Sequence, residues 1–135
     1  MKLLFFVIFL FCALCATAGN SNALDSISEL EWKNRIVFVS GSDDDLASFT
    51  ENQDEITDRH IIWFLFAKDS VHSNSEKKLS KALAMALRAN YFKNNTKAIL
   101  IGKDGGVKSE QTLFDLLDFL SLIDTMPMRL EEMQH

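Results

Sequence analysis

Cys12 and Cys15 stand two residues apart, the Cys-x-x-Cys spacing of a redox dithiol or half a metal site. Both lie inside an apolar run, where that spacing is incidental, and neither follows the pattern of a lipoprotein signal. His60, His72 and His135 are far apart, with no ligand spacing tying them to a pair of carboxylates, so no zinc or iron site is expected. Asp43-Asp44-Asp45 could attract calcium, but it lacks the alternating oxygen ligands and central glycine of a calcium loop; helix capping explains it better. No serine occupies a Gly-x-Ser-x-Gly elbow. Asn94-Asn95-Thr96 is a glycosylation sequon, which only a eukaryotic host would use. None of these groups announces a catalytic centre.

The apolar run explains the cysteines. Lys2 supplies a short positive region, Leu3–Leu14 is almost unbroken hydrocarbon, and Ala16-Thr17-Ala18 has the small-x-small form read by signal peptidase. A bilayer span needs about 20 apolar residues, more than this run offers. Residues 1–18 are therefore expected to be a signal peptide cut after Ala18, which leaves a mature chain without thiols. Its compartment would permit disulfides, but its core must hold it unaided. Loss of Lys2 moves the net charge from −5 to −6, an acidic balance that argues against nucleic-acid binding and against attachment to an anionic membrane.

The elements that would position any site follow in order. Residues 19–29 are small and polar and are expected to form a flexible lead-in to a single domain over residues 30–135, with Leu30–Arg35 covering one edge. Ile36–Val39 is a buried strand. Ser42 and Asp45 form a capping-box pattern, opening a helix whose apolar stripe is Leu46, Phe49 and Ile56. Ile61–Phe66, six apolar residues in succession, predicts a strand covered on both faces. A polar loop over Lys68–Asn74 leads to a long helix capped by Ser75 or Ser73, with Leu79, Ala82, Leu83, Ala86, Leu87 and Tyr91 on its inner face and Asn94-Asn95 ending it. Its Arg88 is expected on the outer surface. Lys97–Lys108 is a hairpin, turned by Lys-Asp-Gly-Gly because such turns need positive φ. Thr112 with Asp115 suggests a cap for a last helix that buries Leu113, Leu116, Leu117, Leu120 and Ile123, with Asp115, Asp118 and Thr125 opposite. Pro127 ends that helix, and Met128–His135 is expected to be a charged tail.

The resulting order, β-α-β-α-β-β-α, is similar to the thioredoxin-like α/β fold, a small mixed sheet with helices on both faces. Three stretches sharpen the likeness. Leu30-Glu31-Trp32-Lys33-Asn34-Arg35, Gly102-Lys103-Asp104-Gly105-Gly106-Val107-Lys108 and Ile123-Asp124-Thr125-Met126-Pro127-Met128-Arg129 together resemble a secreted domain of unknown function called P-DUDES. That domain occurs in short bacterial proteins and in animal extracellular proteins such as equarin and the sushi-repeat proteins. The resemblance implies a peroxiredoxin-related fold without the peroxidatic cysteine. The stretch matching the reactive thiols of thioredoxins is Ser40-Gly41-Ser42-Asp43-Asp44-Asp45, whose carboxylates would repel the thiolate that a helix N-terminus otherwise favours. Asn95-Thr96-Lys97 stands where the cis-proline would be. Asp58-Arg59-His60 departs from the acid-Arg-Asp triplet expected of the family, leaving a role for its third position in doubt.

The resemblance singles out Trp32, Arg35, Arg59, Lys103, Asp104, Asp124, Arg129 and Glu132, either as a charge network clamping the end of the chain or as a docking surface. Arg129 is expected to pair with Asp124 or Asp104. The expected protein is a secreted or periplasmic binding module with no cofactor and no thiol chemistry, no membrane attachment after signal cleavage, and an unknown protein or small ligand as partner. The alternative is an enzyme without thiols, or an oxidant-defence protein of the peroxiredoxin-like group.

Overall fold

The computed structural model describes residues 23–135, so the expected signal peptide and the first residues after it lie outside the described residues. The centre of the domain is β2, Arg35–Ser40, flanked by parallel β3, Ile61–Phe66, and antiparallel β6, Ala98–Ile101. β7, Val107–Gln111, continues the sheet beyond β6, and the short β4, Val71–Ser73, pairs antiparallel with β3 at the other edge. The five-stranded order is β4-β3-β2-β6-β7. This mixed sheet is the arrangement expected of a thioredoxin-like α/β fold.

The apolar runs are buried on both sides because successive strand residues point to opposite faces. Val37, Val39, Ile61, Trp63, Leu65, Ala98 and Leu100 face α1 (Asp43–Glu51), α2 (Gln53–Asp58) and α4 (Leu116–Ile123). Phe49 stacks on Trp63 at 4.2 Å between ring centroids, and Phe114 packs on Phe49 at 5.3 Å. Ile36, Phe38, Phe64, Phe66, Ile99 and Ile101 face α3, Lys81–Tyr91, through Leu87 and its neighbours. Among the described residues no helix is long and apolar enough to cross a membrane.

Several expectations are corrected. Within the described part of the lead-in, Ala23–Leu24 is β1, paired parallel with β5 at Lys78–Leu79, and Leu24 is buried. A 3-10 turn over Ile27–Leu30 follows, closed by a capping box between Ser26 and Glu29. Short polar residues gave the lead-in its loop-like composition, yet one buried leucine and a capped turn suffice to fix it. The first helix breaks at Asn52, whose side-chain amide donates to the carbonyl of Ser48, and resumes as α2. The expected loop contains β4, whose His72 ring is 3.5 Å from the Asp43 carboxylate.

The long helix starts later than expected. Leu79 belongs to β5, and the cap is Ser80, whose hydroxyl accepts the N–H of Leu83. Ser73 instead accepts the N–H of Ser75 in the preceding turn. Leu83, Ala84, Leu87 and Tyr91 face the core, whereas Ala82 and Ala86 are exposed. Arg88 is not a free surface residue: it donates to the carbonyl of Ala67 at 2.9 Å and lies over the Phe66 ring.

The last helices differ most. α4 is capped by Asp115, which accepts the N–H of Asp118, while the Gln111 amide reaches across to the Asp115 backbone; Thr112 is exposed. Leu113 is thereby left outside the helix, 83 % exposed, and Leu117 is 62 % exposed. The buried stripe is Leu116, Phe119, Leu120 and Ile123. The segment is apolar nearly all round, so its periodicity does not choose a face; the cap position does. The expected tail is α5, Pro127–Met133, with Pro127 at the first helical position, where its missing N–H has no partner to lose.

Candidate functional site

Two places at opposite ends of the central strand gather polar side chains. The first is built at the start of β2 and β3. Register sets Arg35 opposite Ile61, and the N–H of Arg35 donates to the carbonyl of His60. Ile101 of β6 pairs with Ile36, so the hairpin turn brings Lys103 to the same end. α5 lies across it and presents Arg129 and Glu132, three residues apart and therefore on one helix face.

The contacts form one network. The Arg59 guanidinium grips Asp124 with two bonds, Nε to Oδ1 at 3.0 Å and Nη2 to Oδ2 at 2.8 Å, and reaches Glu55 with Nη1. Arg129 Nε shares Asp124 Oδ1 with Arg59, donating to it at 3.2 Å, and Arg129 also donates to the Asp58 carboxylate at 2.5 Å and to the Asp58 carbonyl at 3.0 Å. Arg35 donates to the Arg59 carbonyl and to both oxygens of Glu132. Lys103 Nζ bridges Glu132 at 2.5 Å and His60 Nδ1 at 2.8 Å.

Burial makes this network strong. Arg35, Arg59 and Arg129 are 1 %, 8 % and 5 % exposed, and a guanidinium taken out of water needs its donors satisfied. The Arg59 bonds hold the Asp124 carboxyl below its ordinary value; burial opposes this and Arg129 assists it. Asp124 in turn raises Arg59. Burial alone would push Glu132 up, but its bonds to Lys103 and Arg35 outweigh it and hold the carboxyl low. For Arg129 burial works against the charge, and the bonds from Asp58 and Asp124 outweigh it, leaving its pKa raised.

Arg35, Arg59, Lys103, Asp124, Arg129 and Glu132 therefore come together as one cluster. Asp104 does not join it: its carboxylate holds Lys108 at 2.8 Å and the N–H of Gly106 inside the hairpin turn. Arg129 pairs with Asp124 and not with Asp104. Trp32 sits beside the cluster through its backbone, donating its N–H to the Lys103 carbonyl at 2.7 Å. Its φ is 65°, strained for a bulky residue, and its side chain is 67 % exposed.

Sequence reasoning missed Glu55, Asp58 and the role of His60. The spacing of Glu55 and Arg59 at i,i+4 was a usable signal. Nothing in the chain order shows that Asp58 meets Arg129, 71 residues away. Chemically the cluster is a closed lock. The arginines lie beneath, and the carboxylates of Glu55 and Asp58 face the solvent, so an incoming anion would meet acids first.

The second place lies at the carboxyl ends of β2 and β3, an open cleft of about 490 Å³. Its floor is the turn from β2 into α1. The Asp45 carboxylate accepts the Ser42 N–H at 3.0 Å, and a side chain on Gly41 would collide with that carboxylate. The stretch that the thioredoxin likeness matches to the reactive thiols, Ser40-Gly41-Ser42-Asp43-Asp44-Asp45, begins here. Lys68 and Lys97 flank the floor, Arg88 rises from α3, and Leu113 and Phe114 form the apolar wall. A family model matches residues 26–132, from the 3-10 turn to Glu132 in the lock. The chain belongs to the family described as Domain of unknown function (DUF4174). The matched span of this DUF4174 domain encloses both the lock and the cleft. No curated protein and no solved structure matches the chain.

Proposed function

We propose that this DUF4174 protein is a secreted or periplasmic thioredoxin-like binding module, related to the P-DUDES domains, that works without thiol chemistry and docks a partner at the cleft beyond β2 and β3. The observation carrying this reading is the β2-to-α1 turn: an open cleft in the place that the thioredoxin likeness assigns to thiol exchange, with no sulfur nucleophile among the described residues that line it and with exposed leucine on its rim. Crevices at the carboxyl ends of parallel strands are the usual ligand sites of open α/β sheets. The arginine lock supports the same division of labour. Its donors are satisfied within the domain, so it fixes the end of the chain and leaves recognition to the other end. Secretion rests on the expected signal peptide.

The test uses the exported protein. Intact mass should place its first residue at or near Gly19, and it should neither reduce insulin nor consume peroxide above a denatured control, because the thiolate is the nucleophile in both reactions. Turnover in either assay overturns the reading in favour of an enzyme, and a mature chain retaining Met1 removes the secreted assignment.

A further inference from the structure

The chain is acidic overall, yet its cleft is not. Among the described residues Lys68, Arg88 and Lys97 line it against a single acid, Asp45, which the Ser42 N–H already occupies. Among the described residues none of the three cations makes an ion pair; Arg88 donates only to the Ala67 carbonyl. Topology explains their convergence. Lys68 follows the end of β3, Lys97 precedes β6, and these strands lie on either side of β2, so the two lysines bracket its carboxyl end. The Ser40 N–H bonds to the Lys97 carbonyl at 2.8 Å and the Gly41 N–H to the Phe66 carbonyl at 3.2 Å, which fixes both flanks.

The apolar side of the cleft is exposed. Leu113 is 83 % exposed at the rim and Leu117, four residues on, is 62 % exposed. Small ligands are usually enclosed over most of their surface. Here the cleft is open-sided and its apolar wall ends in exposed leucine, which suits a chain lying across it. Asp43 and Asp44 open α1 immediately before Asp45, and this concentration of negative charge next to the cleft would repel a polyanion, so the fitting ligand carries isolated carboxylates rather than a run of phosphates.

Resting on the docking reading above, we infer that the cleft binds an extended peptide segment of a partner protein in which an acidic side chain lies next to a bulky apolar one. The carboxylate meets Lys68, Lys97 and Arg88, and the apolar side chain covers Leu113 and Phe114. An Arg88 guanidinium braced on Phe66 and Ala67 is preorganised for that contact, which lowers the entropic cost of binding.

The probe is a fluorescein-labelled heptapeptide alternating leucine and glutamate, titrated against residues 19–135 by anisotropy. Saturable binding is expected. The double variant Lys68→Glu, Lys97→Glu should weaken it by about tenfold or more, equivalent to roughly 1.4 kcal/mol. Leu113→Asp should weaken it similarly, and a leucine–lysine heptapeptide should bind at least about tenfold worse than the leucine–glutamate one. All three substituted positions are exposed, so melting temperatures should match the parent and a binding loss would not reflect unfolding. Absence of saturable binding, or equal binding by either variant, overturns the inference. Neither result touches the thiol-free reading, which falls only on turnover in the redox assays.

Discussion

Replacing Arg129 by alanine should destabilise the domain by about 2–4 kcal/mol. In most unpaired-charge cases the group left behind is buried, and removing one partner then costs roughly 3–5 kcal/mol. Here the partners escape that fate in part. Asp58 is 65 % exposed and can be rehydrated, and Asp124 keeps both bonds to Arg59. What is lost is three charge-assisted bonds of about 1.5 kcal/mol each or more, discounted for the exposure of Asp58, plus the packing of a stem that is 6 % exposed. For a domain of this size that corresponds to a fall in melting temperature of roughly 8–15 °C. Lys33→Ala, at an exposed position without an ion pair among the described residues, is the control; Arg88 is unsuitable because it braces Phe66. Calorimetry on both variants decides the matter. Melting temperatures within about 2 °C of each other would mean that Arg129 clamps nothing, since only contributions below roughly 0.5 kcal/mol shift so little. The acid limit adds an internal check. The depressed Asp124 carboxyl contributes stability above its ordinary value of 3.8 and loses it as pH falls through the depressed value, so the gap between variant and parent should narrow at low pH; the bond to the Asp58 carbonyl and the packed stem, which do not titrate, keep it from closing.

Two further outcomes follow from the same network. Glu132→Gln leaves the Arg35 guanidinium buried opposite a neutral amide and removes the anchor of Lys103; a denaturant midpoint equivalent to about 2 kcal/mol lower is expected, and an unchanged midpoint would show that the α5 contact contributes little. The parent itself should hold its stability down to pH 4.5 as far as these carboxylates are concerned and then decline, because Glu132 and Asp124 are both held below their ordinary values of 4.5 and 3.8. Urea midpoints measured between about pH 6 and pH 2.5 test this, and a profile that stays flat would contradict the assigned ion pairs.

The sequence by itself determined the centre of the sheet but not its edge strand β4. Runs such as Ile61–Phe66 are apolar at every position, and only a strand covered on both faces uses them all, so the three central strands and the hairpin at Lys103–Gly106 were legible. The resemblance of its motifs to a known family, rather than any spacing of charges, marked most of the lock, at Arg35, Arg59, Asp124 and Arg129. Tertiary structure alone decided which motifs meet. Asp104 has the same charge as Asp58, but the hairpin geometry hands it to Lys108 four residues away, whereas α5 lays Arg129 over the start of β3. The phase of α4 was likewise undecidable from a segment that is apolar nearly all round. Once Asp115 caps it, Phe119 turns inward and Leu113 is left at the rim of the cleft. The expected tail became α5 for a related reason: its short run of residues has no strong stripe of its own, and it stays folded where Arg129 finds Asp124 and Asp58 at the ends of α4 and α2 and Glu132 finds Arg35 on β2.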